Sequence, residues 1–72
     1  MTPAQCRAAR ALLDWRQPEL AKAAGLGLST VVDYEKERRK VSEEAITAIE
    51  TAFKNAGIEF LGETGVGMIV ND

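Results

Sequence analysis

Between Gln17 and Glu37 the chain reads QPELAKAAGLGLSTVVDYEKE. This stretch constrains the fold more than any other, because its small and apolar residues sit where two helices joined by a tight turn need them. Leu20 and Ala21 end one apolar stripe, Gly25 follows Ala21 by four residues, and Val31 and Tyr34 repeat at helical spacing on the next segment. Each position answers its own steric demand. Ala21 is small where the second helix crosses closely, Gly25 accepts the positive φ that ends a helix, and Val31 and Tyr34 seal the following helix onto a core.

The flanks extend this pattern. Thr2-Pro3-Ala4-Gln5 forms a capping box with proline at the first helical position, predicting a helix from Pro3 to about Leu13. Cys6, Ala9 and Leu13 share its apolar face, which Leu12 and Trp15 widen. Arg7 and Arg10 lie elsewhere on the wheel, and a solvated face is preferred there to a phosphate contact. Pro18 opens a second helix over Gln17 to Ala24, Leu26 and Gly27 make the turn, and a third helix spans about Leu28 to Lys36. Ser42 caps a fourth, with Glu43 and Glu44 beside the positive end of its dipole. Ala45, Ile46, Ile49 and Phe53 give that helix a core face, and Gly57 stops it.

Beyond Gly57 the period becomes alternating. Ile58 and Phe60 would share one strand face, the segment from Gly62 to Gly65 would turn, and Val66, Met68 and Val70 would share a face of a second strand. A lone hairpin is marginal in water, so the tail is expected to pack on the helices or to pair with a second subunit through an open edge, with a mobile tail as the third reading. The expected organisation is a mainly α, compact four-helix domain over residues 1–56 and a short C-terminal β-hairpin or extended strand over residues 57–72.

Composition narrows the function. With 72 residues and 46% hydrophobic content there is room for one small domain, and the apolar runs are too short to cross a bilayer. No leader or transit-like segment is visible, which makes the cytoplasm the expected location. The single cysteine, Cys6, reads as a buried thiol. A core this small often gains stability by association, so a homodimer is expected. The net charge of −2 hides an asymmetry: residues 1–40 hold eight Lys and Arg against five Asp and Glu, whereas residues 41–72 hold only Lys54 against six acids. The basic half contains the helix pair, and such a pair is a common way to set a helix in the major groove of DNA. The overall balance predicts weak non-specific affinity, with discrimination coming from shape and base contacts.

With this order of elements the chain resembles the Cro and lambda-repressor-like (Xre) helix-turn-helix regulators. Arg7, Arg10 and Leu13 carry the likeness in the first helix. WRQPELAKAAGLGLSTVVDYEKERRKVS then follows the family's W-S-Q-x-E-L-A, A-G-V-S, short apolar helix and E-x-G-x-R. The resemblance covers about Thr2 to Phe53 and extends loosely to AGIEFLGETGVG. It departs in two places. Arg16 stands where the family has Ser or Thr, weakening the cap of the second helix by about 1 kcal/mol. Glu37 stands where the family commonly has Gly, and a left-handed conformation there would cost roughly 1 kcal/mol and bring a carboxylate close to the DNA backbone.

At about 100° per residue, anchoring Val31 and Tyr34 turns Ser29, Val32, Asp33 and Lys36 outward. Ser29 can donate or accept at a base edge, Val32 can pack on a thymine methyl, and Leu28 and Thr30 flank the helix start. Asp33 can accept from a cytosine amino group, although an ion pair with Lys36 or a nearby arginine is at least as good a reading. Gln17 matches the family residue that bonds a phosphate and braces the recognition helix. Lys36, Arg38, Arg39 and Lys40 form a basic loop suited to phosphate contacts, and Arg16 would offset part of its lost cap in the same way.

No enzyme is expected. The chain has no histidine, no second cysteine for a metal cluster and no phosphate-cradling glycine loop. No cofactor, metal or small-molecule ligand is implied. The expected function is a sequence-specific transcriptional regulator, a repressor binding double-stranded DNA at an inverted repeat. Its rival is a protein-interaction module on the same fold, such as an antitoxin or co-regulator, favoured by the acidic half and by Asp33 and Glu37.

Overall fold

Helix boundaries follow from the residues that cap them. The computed structural model describes residues 1–69 and contains α1 (Pro3–Leu13), α2 (Gln17–Ala24), α3 (Leu28–Lys36) and α4 (Glu43–Asn55), followed by β1 (Ile58–Leu61) and β2 (Gly65–Met68). At the start of α1 the capping box closes: Gln5 N donates to Thr2 Oγ1 at 3.1 Å and Thr2 N to Gln5 Oε1 at 2.9 Å. Ser42 Oγ likewise accepts from Ala45 N at 3.2 Å. Arg16 has no acceptor to offer, so α2 keeps only the reverse half of a box, Arg16 N donating to Glu19 Oε1 at 3.0 Å.

Three helices end alike. Trp15 N donates to Arg10 O, Leu26 N to Ala21 O and Arg38 N to Asp33 O, at 2.8, 2.9 and 3.0 Å, each beside a shorter-range bond from the preceding residue. These are Schellman closures, which need one left-handed residue apiece. Asp14 (φ 57°), Gly25 (φ 69°) and Glu37 (φ 54°) supply them. Only Gly25 adopts that region freely; the other two carry strain of about 1 kcal/mol each. The sequence pointed to Gly25 and Glu37 and missed Asp14.

The core is drawn from every helix: Cys6 and Ala9, Leu20 and Ala21, Val31 and Tyr34, and Ala45, Ile49, Ala52 and Phe53, with Val41 and Ile58 completing it. Trp15 stacks on Phe53 with ring centroids 6.0 Å apart, and Phe60 meets the same ring edge-on at 6.1 Å. Leu12 departs from expectation. It is 44% exposed, because the buried stripe of α1 runs through Gln5, Cys6, Ala9 and Leu13 while the chain turns at Asp14 toward Trp15, leaving nothing over Leu12.

The strands pair antiparallel with Ile58 opposite Met68, Glu59 opposite Gly67, Phe60 opposite Val66 and Leu61 opposite Gly65. The alternation places Ile58, Phe60, Val66 and Met68 on one face. Ile58 is buried and Phe60 and Val66 pack on the core, whereas Met68 at the strand end is 39% exposed. Val70, expected on the same face, lies outside the described residues. The hairpin packs on α1 and α4. Buried Gln5 holds its turn, with Nε2 donating to Gly62 O and Gly65 O, both at 2.9 Å. A side chain at Gly65 would meet Leu61 O at 2.8 Å, so the last pair of the ladder closes only around glycine. Among the described residues no helix is long and apolar enough to cross a membrane.

Candidate DNA interface

One buried carboxylate orients the helices that carry the expected DNA contacts. Glu35 follows Val31 by one helical repeat, which turns it into the protein rather than out of it. Its side chain is 1% exposed. Arg10 grips it twice, Nε to Oε2 and Nη2 to Oε1, both at 2.7 Å. Gln17 Nε2 donates to Oε1 and Cys6 Sγ to Oε2, each at 3.1 Å. Arg7 Nη1 donates to the Glu35 carbonyl at 2.6 Å, and Arg10 Nη1 to Trp15 O at 3.2 Å. α1, α2 and α3 therefore meet at a single residue.

The electrostatics agree with the geometry. Burial alone would push the Glu35 carboxyl up and is the largest single influence, but hydrogen bonds from Arg10, Cys6 and Gln17, with the Arg10 charge, together hold it below its ordinary value. The Arg10 guanidinium is held above its usual value, chiefly by its hydrogen bond to Glu35. Burial, reinforced by Glu35, raises the Cys6 thiol well above the ordinary cysteine range. Tyr34, whose hydroxyl donates to Met1 O at 3.1 Å, is pushed up to about 12, again mainly by burial.

Arg10 thus corrects the sequence reading, turning partly buried onto Glu35 instead of forming a solvated face, whereas Arg7 stays exposed as expected while it donates to the Glu35 carbonyl. Periodicity in α1 gives no sign of this, because the partner lies 25 and 28 residues away. The signal was in α3, where Glu35 shares the stripe of Val31 and Tyr34.

The structure distributes the candidate contact residues over four places. Leu28, 46% exposed, and Ser29 stand open at the start of α3 after Gly27, and Thr30, Val32 and Asp33 are half-buried along it. Val32 is less exposed than the wheel implies. Arg16, Gln17 and Lys36 line one groove of about 480 Å3, together with Arg7, Arg10 and Glu35. Because Arg10 neutralises Glu35, the free charge of that groove is positive, and it opens at the amino end of α2. Arg39 and Lys40 belong to a different hollow, shared with Glu37 and Glu43. Arg39 is already engaged, its Nε donating to Asp33 Oδ2 at 2.8 Å. That is the arginine partner considered for Asp33. Arg38 is exposed after the α3 closure.

Comparison with curated proteins finds no match. Residues 7–60 match the model of a helix-turn-helix family, which spans all four helices after the first turn of α1 and reaches into β1. With well over half of its 72 residues matched, the chain belongs to the Cro and lambda-repressor-like (Xre) helix-turn-helix family of DNA-binding regulators.

Proposed function

We propose that the chain is a transcriptional repressor that binds an inverted-repeat operator as a homodimer and occludes a promoter. The observation that carries this reading is the brace on Glu35. It fixes α3 with Leu28 and Ser29 exposed, next to a groove whose arginines, Lys36 and Gln17 suit a phosphate. In this reading Leu28, Ser29, Thr30, Val32 and Asp33 meet base edges. Arg16, Gln17 and Lys36 hold one stretch of backbone, and Arg38, Arg39 and Lys40 another. Two recognition helices about 34 Å apart would enter successive major grooves.

The second reading, a protein-interaction module, draws on the Asp33–Arg39 ion pair, which ties up one candidate base reader and one phosphate contact together. Selection of bound duplexes from a random DNA pool, with the winner titrated at two salt concentrations, separates the two. An enriched inverted repeat whose affinity falls steeply with salt supports the repressor; no enrichment at low salt transfers support to the interaction module.

A further inference from the structure

The ion pair between Asp33 and Arg39 is made by the way α3 ends. Left-handed Glu37 (φ 54°) and the bond from Arg38 N to Asp33 O, 3.0 Å, fold the chain back over the last turn. Arg39 is thereby returned to the side of Asp33, six residues earlier. It shares its hollow with Glu37 and Glu43, yet the carboxylate it bonds is Asp33, Nε to Oδ2 at 2.8 Å. That bond uses one oxygen and one nitrogen. Asp33 Oδ1 has no partner among the described residues, and no buried side-chain oxygen there lacks one, so Oδ1 is open to solvent. At the other end the Nη atoms of Arg39 make no bond among the described residues, and its side chain is 52% exposed.

The two open ends suit the two parts of a duplex. A carboxylate only accepts, and the donors in the major groove are the amino groups of cytosine and adenine. At adenine the neighbouring N7 is an acceptor that repels a carboxylate. At cytosine the neighbouring edge atom is a carbon, so an open carboxylate oxygen selects cytosine. An unpaired carboxylate on this face would also be repelled by the phosphates; the guanidinium cancels its charge and limits its rotation. With Nε committed, the rest of the guanidinium fork still reaches a phosphate, which lysine, a point charge on a flexible stem, cannot do while fixing a carboxylate. We propose that Asp33 reads a cytosine in each half of the operator, with Arg39 as the positioning residue that holds the carboxylate through Nε and the neighbouring phosphate through Nη. This rests on the repressor reading above and names one base pair that it recognises. The pair then joins a base contact to a phosphate contact instead of blocking both.

The test titrates the duplex recovered by selection, and duplexes that differ from it by one base pair placed symmetrically in both halves, at two salt concentrations. The proteins are the full-length wild type, Asp33→Asn, Asp33→Ala, Arg39→Lys and Arg39→Ala. Preference is read as the ratio of Kd between bases at one position, so a uniform change of affinity cancels. The wild type should prefer cytosine at one position of each half-site by roughly tenfold. Asp33→Asn should move that preference to adenine, whose N6 and N7 match an amide, and Asp33→Ala should abolish it. Arg39→Lys should keep the salt dependence and lose most of the cytosine preference, whereas Arg39→Ala should lower both. Thermal melts by circular dichroism show whether each variant folds; if Arg39→Ala does not, Arg39→Lys decides. A base preference that Asp33→Asn leaves unchanged at every position overturns the cytosine contact. A cytosine preference that Asp33→Asn moves and Arg39→Lys leaves intact overturns the role of Arg39. Both results leave the regulator standing, whereas a pool from which no sequence is enriched overturns the repressor reading and the cytosine contact together.

Discussion

Gln5 and Glu35 are the buried polar residues of the described chain, 1% and 2% exposed, and both connect to α1, yet they secure different things by different means. Gln5 is neutral and holds a turn through two carbonyls at 2.9 Å. Glu35 is charged and collects donors from Cys6, Arg10 and Gln17. A neutral clamp loses two or three hydrogen bonds when cut. A charged hub leaves behind an uncompensated guanidinium, which is far more costly. The carboxylate therefore sits where helix orientation matters for DNA, and the amide where a peripheral hairpin only has to be kept in place.

The contrast is sharpest in stability. Glu35→Ala should cost about 3–5 kcal/mol, enough to unfold a domain of this size near room temperature. Urea denaturation checks this, and a loss near 1 kcal/mol would mean that Arg10 finds water easily and that the hub is no different in kind from the clamp. Gln5→Ala should cost about 1–3 kcal/mol. Hydrogen exchange should show its effect concentrated over residues 58–68; uniform loss across all helices would erase the distinction.

Acid separates the two by sign. Because the folded-state Glu35 carboxyl is held below its ordinary value, its contribution is complete above the usual carboxylate pKa of about 4.3 and is lost as pH falls through the lowered folded value. Melting temperature measured from pH 7 downward should drop in that window for the wild type. Gln5→Ala should give a parallel curve displaced to lower temperature, and Glu35→Gln a flatter acid limb. An acid limb identical in Glu35→Gln and wild type would place the titration elsewhere.

Where the charges are exposed, the effects shrink. Glu37→Gly removes left-handed strain at φ 54° and should raise stability by roughly 0.5–1 kcal/mol after the glycine's greater freedom in the unfolded chain is counted. Asp14→Gly should gain less, since aspartate tolerates this region better. Smallest of all, Arg39→Ala breaks an ion pair in which the arginine side chain is 52% exposed, and should cost under about 1 kcal/mol. If Arg39 meets phosphate, the same variant reduces the salt dependence on every DNA sequence; a loss confined to the cytosine position would leave it only the support of Asp33.

What could be read before the fold was known follows the range of the forces involved. Thr2, Pro18, Gly25 and Ser42 act on amides a few residues away, and their helix ends were legible. The face of Ile58 and Phe60 on one strand and of Val66 and Met68 on the other was legible because strand alternation is local, whereas their lying on one side of the hairpin came only with the register. Arg7, Arg10 and the second role of Gln5 were not, since their partners are brought near only by the fold, and an arginine that will meet a buried carboxylate looks on a helical wheel like any surface cation. The candidate base readers lie between these cases: the wheel turned Ser29 outward correctly and overstated the exposure of Val32.

Cys6 turns the hub into its own reporter. It is the chain's single thiol, it is fully buried, and it donates a hydrogen bond to the Glu35 carboxylate. A thiol reagent cannot reach it, nor find it as thiolate, until α1 has parted from α3. The rate of alkylation in native buffer, compared with that of an unfolded chain, thus clocks how often α3 comes loose from its support, with no residue changed.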